Sequence, residues 1–261
     1  MTGRLAGVVL HGLLVAAALV VAAPLVWMLA LSFGAGSGVT LAHYRTLFER
    51  LHVARALANS AGLALAVTAV SLVLNSLAGY AFAKLEFRGR EPLFRVLLAA
   101  LVIPGQVGML PLFVGLKQLG LVNTYLGVVV PGLASVFGIF LVRQYARAIP
   151  QSLLDAARID GASEFAIYRT LVLRLCRPVL VTLALFTFLG AWNDFLWPLV
   201  VLADQDRYTL PVALAALLGE HAQDTELMMA GAVLTVAPVL LLFLGLQRYY
   251  IESVAAGALK E

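Results

Sequence analysis

Three groups of polar or helix-disturbing residues stand inside apolar stretches of this chain: Asn75-Ser76, Pro104-Gly105-Gln106 and Trp192-Asn193-Asp194. Their types suit recognition rather than bond cleavage. Asn193 and Asp194 can hydrogen-bond the hydroxyls of a polyhydroxylated solute, and Trp192 can stack on a ring face. A second reading stays open, in which Trp192 and Trp197 anchor a membrane interface and the acid is exposed at the outer boundary. Pro104 removes a backbone hydrogen bond and Gly105 loosens the turn. Such an interruption is tolerated where it lines a cavity or meets neighbouring helices, and a purely structural kink fits equally well. Asn75 and Ser76 can line a pore or hydrogen-bond between helices. In hydrocarbon all these groups are costly, so they face protein or a water-filled path.

The elements that must carry them are six apolar blocks, at about residues 8–31, 57–83, 93–116, 125–142, 179–202 and 227–246. Runs of about 18 or more apolar residues read as membrane-spanning helices. At about 1.5 Å per residue the first block reaches about 36 Å. A signal-peptide core is shorter, about 7–15 residues, so this block is expected to be retained. Pro104 falls about 17 Å past Leu93, near mid-bilayer, and Asp194 about 24 Å past Pro178, toward the outer half. With 62% hydrophobic residues, 12% charged and a mean hydropathy of +0.97, the chain has too little charged surface for a soluble domain. The expected fold class is all-α integral membrane: one domain over residues 1–261 with six transmembrane helices.

The net charge of +4 is partitioned rather than pooled. With the N-terminus inside, thirteen of the 18 Lys and Arg residues fall on the cytoplasmic side, from Arg4 through Lys84, Arg143, Arg147 and Arg158 to Arg248 and Lys260. Only Arg45, Arg50, Arg55, Lys117 and Arg207 fall outside. The positive-inside rule therefore predicts both termini in the cytoplasm.

The longest cytoplasmic connection, residues 143–178 between spans four and five, has its own helix signals. Pro150 suits the first turn of a helix. Gly161 can end it in the left-handed conformation. Ser163 can cap a second short helix running toward Leu173. The expectation is helix, tight turn, helix. On local physics alone this is an amphipathic connector, with Ser152 and Asp155 as a capping box, Asp160 and Glu164 in water, and the arginines at lipid headgroups.

The run Asp155-Ala156-Ala157, three residues, then Gly161 resembles the EAA signature of ATP-binding cassette importer permeases. Extended through Ala162 and Ser163, it is similar to the form found in carbohydrate permeases of the maltose-transporter type. Further segments resemble that family in order: Asn59-Ser60, Ile103-Pro104-Gly105-Gln106, Leu119 to Thr124, Ala191 to Pro198, Tyr208-Thr209-Leu210-Pro211, Gln247-Arg248-Tyr249 and Gly257 to Lys260. The first acid is Asp where the family usually has Glu, and Arg174 stands where it usually has proline.

The resemblance implies that this loop is a coupling helix seated in a cleft of an ATPase subunit. Asp155 and Asp160 would supply charge and register, Ala156, Ala157 and Ala162 close approach, Gly161 the sharp turn, and Ser163 the following cap. It further implies a multi-pass protein of the bacterial inner membrane and a carbohydrate or related polyol or glycerol-phosphate solute. The implied partners are a second homologous permease chain in a heterodimer, two ATP-binding cassette subunits and an extracytoplasmic solute-binding protein. ATP and Mg would belong to the ATPase subunits, with no cofactor in this chain.

Other chemistries find no frame in the residues. There is no Gly-x-x-x-x-Gly-Lys-[Ser/Thr] loop, no His-Glu-x-x-His and no Gly-x-Ser-x-Gly. Cys176 is the single cysteine, and His11, His43, His52 and His221 have no metal-ligand spacing, so no metal site is expected. The basic residues flank spans rather than forming a nucleic-acid patch. A secondary transporter driven by an ion gradient is the alternative. It would need intramembrane acids or broken helices in an inverted repeat, and only Asp194 offers itself. A membrane-embedded enzyme lacks a catalytic constellation.

Overall fold

The computed structural model describes residues 2–35, 38–50, 53–220 and 224–258. His52, His221 and Lys260 lie outside the described residues, as do the side chains of Arg4, Arg50, Arg248 and Tyr249. The described chain is almost entirely helical. Residues 1–54 with 213–241 form one compact unit, and residues 55–212 with 242–261 a second.

In the first unit, α1 (Thr2–Ser32) is followed by a two-stranded antiparallel ribbon, β1 (Gly34–Ala35) and β2 (Gly38–Val39), and by the short α2 (Ala42–Arg50). Tyr44 donates to Ser32 Oγ (2.8 Å), and His43 Nε2 lies 2.8 Å from the Gly34 carbonyl, fixing the turn out of α1. The most apolar 18 residues within Gly7–Ser32 include no buried residue, whereas Ser32 at its end is buried. A helix apolar all round with nothing packed on it is built for lipid or for another chain.

In the second unit, α3 (Val53–Lys84) is the central rod, and α4 (Arg90–Ala100), α5 (Met109–Gln118), α6 (Tyr125–Val129) and α7 (Val136–Arg147) follow it. Next come α8 (Gln151–Ile159), α9 (Glu164–Ile167), a π-helical turn at Tyr168–Val172, α10 (Leu173–Leu175), α11 (Arg177–Trp192) and α12 (Leu196–Val201). The remaining helices are α13 (Leu210–Glu220), whose residues from Ala213 belong to the first unit, and α14 (Thr225–Ala258), whose residues through Leu241 belong to it.

Three helices are long and apolar enough to cross a membrane unbroken: Gly7–Ser32, Val53–Lys84 and Thr225–Gly245. Three bent pairs raise the number to as many as six: Arg90–Ala100 with Gly105–Gln118 (95°), Tyr125–Gly132 with Val136–Arg147 (40°), and Glu164–Leu175 with Arg177–Trp192 (80°). The block 93–116 is bent where Pro104-Gly105-Gln106 pointed to an interruption, 125–142 is bent between Gly132 and Val136, and 179–202 is interrupted between Trp192 and Leu196, while the 80° bend falls before it at Cys176.

The reasons are local. Pro104 cannot continue α4, and a 3₁₀ turn (Gly105–Gly108) restarts the chain. Pro131 sits in a second 3₁₀ turn, after which Ser135 caps α7 by accepting from the Gly138 amide (2.9 Å). Pro198 lies in the first turn of α12, where its missing N–H costs nothing, so α11 ends and α12 begins upstream of it.

Two further expectations are corrected. The connection placed at 143–178 begins later, because α7 continues to Arg147. Arg143 is buried; it donates to the Phe82 carbonyl (3.1 Å) and to Glu91 (2.8 Å) and lies 3.8 Å over the Phe94 ring. A guanidinium tolerates burial when its donors are paired and its face is stacked. The connection 203–226 holds the apolar α13, whose 11 residues fall short of a span.

Glycine sets the closest approaches. A Cβ on Gly79 would lie 2.7 Å from Val142, and one on Gly138 would lie 2.7 Å from Asn75 Nδ2. These two positions let α3 and α7 meet backbone to backbone.

Candidate functional site

The loop from Pro150 to Cys176 is built as its caps dictate. Pro150 (φ −58°, ψ 133°) starts α8 without a side-chain cap. The expected Ser152–Asp155 capping box does not form; the helix begins at Gln151, two residues earlier than that box requires, and Asp155 instead accepts from Arg158 (2.6 Å) and Gln151 (3.2 Å). At the other end Gly161 adopts φ +83°. The Gly161 amide donates to Arg158 O (3.0 Å) and the Ala162 amide to Ala157 O (2.9 Å), which is a Schellman motif. Ser163 then caps α9 by accepting from the Ala166 amide at 3.3 Å. The chain turns 80° at Cys176, with Pro178 in the first turn of α11 and Arg174 exposed in the preceding turn.

One face of this helix–turn–helix is bolted down. Leu154 and Ile167 are fully buried in a cluster with Tyr80, Ala146, Tyr168 and Val172. Tyr80 donates to Glu164 Oε2 (2.6 Å), and Ser76 and Tyr168 share a hydrogen bond (2.7 Å). Arg158 reaches from α8 to Glu164 (2.7 Å) while still holding Asp155, so one guanidinium joins both arms of the turn. The hydrogen bonds from Arg158 and Tyr80 hold the Glu164 carboxyl below the usual carboxylate range, and the two acids push the Arg158 guanidinium further up. Lys84, closing α3, donates to the carbonyls of Arg147 (3.3 Å) and Ile149 (2.5 Å).

The opposite face is open. Asp155, Ala156, Asp160, Gly161 and Ser163 are exposed, Ala157 and Ala162 half-buried, and Ile159 is 86% exposed.

A second feature is a cavity of about 610 Å³ among α3, the breaks after α4 and α6, α11 and α12. Of the three polar groups singled out in the sequence, it gathers Gly105, Gln106 and Asp194. Asp194 is half-buried, with Oδ1 accepting from the Trp197 amide at 3.3 Å. Pro104 shapes the break but is not on the wall, and Asn193 is exposed away from it.

Trp192 is 2% exposed and stacks on Phe188 (centroids 5.8 Å apart, planes at 15°), so its ring lies in the core rather than on the cavity wall. Asn75 is fully buried, donating to Ser71 (2.7 Å) and accepting from the Ser135 amide (3.0 Å), so it supports the break before α7. Ser76 bonds between helices. Thr187, Gly190 and Thr209 also line the cavity and were not singled out. For Thr187 and Gly190 the only sequence signal is spacing, since Thr187, Gly190, Ala191 and Asp194 recur at three and four residues; Thr209 lies in the Tyr208-Thr209-Leu210-Pro211 segment noted above.

At the other end of the second unit, segments that looked separate in sequence meet. Asn123, at φ +58°, donates to Asp204 (2.7 Å) and accepts from the amides of Ala203 (3.0 Å) and Asp204 (3.1 Å). Asn59 donates to the carbonyls of Asp206 and Tyr208 (both 3.0 Å), and the Leu210 amide donates to Ser60 (2.7 Å).

A helical fold with broken apolar spans, a cavity at the breaks and a helix–turn–helix held beneath one rod is that of a membrane permease. Residues 75–255 match the family described as binding-protein-dependent transport system inner membrane component, and the chain belongs to it. It is an inner-membrane permease of the bacterial ABC importer class, a transport protein rather than an enzyme. It is 41% identical over 202 residues to the arabinooligosaccharides transport system permease protein AraQ of Halalkalibacterium halodurans, covering 77% of this chain and 72% of that one. It is 31% identical to the lactose transport system permease protein LacG of Rhizobium radiobacter, covering 96% and 95%. The fold matches a chain in the crystal structure of a bacterial ABC transporter that imports the acidic polysaccharide alginate, with a TM-score of 0.84 at 24% identity, covering 96% and 98%. The ion-gradient alternative gains no support from these relatives.

Proposed function

We propose that this chain is one channel-forming subunit of an ATP-driven importer that carries a carbohydrate, or a related polyol or glycerol-phosphate solute, inward by alternating access. In this reading the domain spans residues 1–261 with six crossings and both termini in the cytoplasm. A second, homologous permease chain completes the channel. A solute-binding protein delivers the solute outside, and two ATP-binding cassette subunits, holding ATP and Mg, drive the cycle inside. The family description supports dependence on a binding protein. The names of AraQ and LacG support a saccharide solute.

The observation that carries the proposal is the two-faced loop. One face, through Leu154, Ile167, Glu164 and Tyr168, is fixed to α3. The other offers Ala156, Ile159, Asp160 and Gly161 to solvent. The exposed Ile159 beside small residues and an acid supports a contact with another protein on this face. Pulling that face moves α3, and α3 carries Leu63, Val67 and Ser71 on the cavity wall. Asp155, Ala156, Ala157, Asp160, Gly161, Ala162 and Ser163 then form the ATPase-coupling site, and Gly105, Gln106 and Asp194 belong to the pathway.

The test is solute uptake and ATP hydrolysis by the purified complex carrying Gly161→Pro or Asp155→Lys. The expected result is loss of the ATPase subunits, or hydrolysis that continues while uptake stops. Both activities unchanged in an intact complex would reduce the loop to a connector and remove the main support for the proposal.

A further inference from the structure

Gly190 lies in the interior of α11, where glycine is disfavoured relative to alanine. Two ordinary reasons for a helical glycine fail here. Its φ is not in the left-handed region. A Cβ added to it would meet no protein atom within 4 Å, in contrast to Gly138 or Gly79, where a Cβ would collide with a neighbouring helix. What a side chain at Gly190 would enter is the cavity, whose wall it forms with Thr187, Ala191 and Asp194. Gly105 on the same wall has the same open space at its Cβ.

A second, independent observation concerns a polar group on this wall. Thr209 is 3% exposed, and its Oγ1 has no hydrogen-bond partner among the described residues. Buried hydroxyls are almost always paired, so the wall keeps a polar group that this chain does not use. The volume suits a small-molecule site, for which about 300–1,000 Å³ is usual.

We propose that Gly190 is a specificity-determining position: its missing side chain sets the width of the cavity for a ring-sized, hydroxyl-rich solute. The inference rests on the pathway reading above and adds to it a residue and a size limit. A larger side chain here narrows the range of solutes carried, without disturbing the packing of the second unit.

Thiol chemistry in the complete importer tests this without knowing the solute. In a Cys176→Ala background, Gly190→Cys is treated with a charged, membrane-impermeant methanethiosulfonate and with a glucosyl methanethiosulfonate of hexose size. Gly62→Cys is the control, since it also has open space at its Cβ but is absent from the cavity wall. The expected result is that both reagents modify Gly190→Cys and neither modifies Gly62→Cys. Thr187→Cys, one turn away, then reports width. Adding Gly190→Leu is expected to slow the glucosyl reagent at least about ten-fold, while the small charged reagent changes by less than about two-fold, as steric exclusion requires.

Gly190→Cys that refuses both reagents in the assembled complex would mean that the position packs against another chain or lipid, which overturns the proposal. Equal slowing of both reagents, or of neither, also overturns it. The functional reading fails separately, if Gly161→Pro leaves uptake and hydrolysis untouched; a cavity that admits the glucosyl reagent would survive that result.

Discussion

Tyr80 and Glu164, 84 residues apart, are joined by a 2.6 Å hydrogen bond from phenol to carboxylate. Ser76 and Tyr168 repeat the relationship one turn along at 2.7 Å. Both pairs step by four residues on each helix, so α3 and the helix starting at Glu164 are held in register like two teeth of a zip. Removing one tooth without changing ring volume is the cleanest disturbance. Tyr80→Phe is expected to leave membrane insertion and assembly intact and to lower solute uptake per ATP hydrolysed by about three- to ten-fold, the effect of about 1 kcal/mol lost from a charge-assisted bond that is partly screened by water. Uptake and hydrolysis measured together check this; an unchanged ratio would show that α3 does not follow the loop.

The same carboxylate gives the loop a pH dependence of definite sign. Arg158 and then Tyr80 hydrogen-bond the charged form of Glu164 and lower its pKa. A group whose folded pKa is depressed contributes fully above its unfolded value and loses that contribution as pH falls through the folded one. The clamp is therefore intact at neutral pH and opens only on acidification below the ordinary glutamate range. Limited proteolysis within residues 151–175 should accelerate on acidification in the wild type. Glu164→Gln, which cannot titrate, should start faster and stay flat. Wild-type cleavage that accelerates toward alkaline pH would contradict the clamp.

Gly138 and Asn75 form a tight pair, with 2.7 Å between a Cβ on the glycine and the amide nitrogen. Gly138→Ala is expected to cost about 1–3 kcal/mol by overpacking. Asn75→Ala relieves its own part of that clash, leaving Ser135 Oγ at 2.7 Å, while giving up the bond to the Ser135 amide. The double variant should be less destabilised than the two single variants added together, because the two residues share one contact. Thermal unfolding of the detergent-solubilised complex reads all three, and strict additivity would refute the coupling.

Asn123 ties two connections through its side chain while holding φ +58°. Asn123→Gly keeps the backbone conformation accessible and loses the side-chain bonds, so its cost isolates them, at about 2 kcal/mol. Asn123→Asp also sets a second carboxylate against Asp204 and should be worse. Protease sensitivity at residues 203–207 ranks the two; equal sensitivity would show that the bonds carry no weight.

What could be read in the sequence follows from how local each signal is. Gly161 and Ser163 marked the turn of the loop correctly, because a left-handed glycine and an N-cap serine act within a few residues. Pro104 marked an interruption but not its size, since a 95° bend depends on what the restarted helix packs against, and the break before Pro198 was not foreseen. Trp192 suggested a stacking platform because its chemistry was visible, whereas the face of α11 it occupies was not. Arg143 looked like a loop residue because its partners Glu91, Phe82 and Phe94 lie on other elements. Gly190 left only an unremarked gap in a helical stripe, since what it provides is space.

The break after α4 also bears on how the protein is made. α4 has 11 residues and α5 has 10, each about half of the roughly 20 needed to cross a bilayer. Neither piece alone is long enough to cross the bilayer. The Arg143–Glu91 pair and the Phe94 stack join α4 to a helix synthesised some 50 residues later. The first of the two pieces therefore gains its buried partner only after α7 has been synthesised.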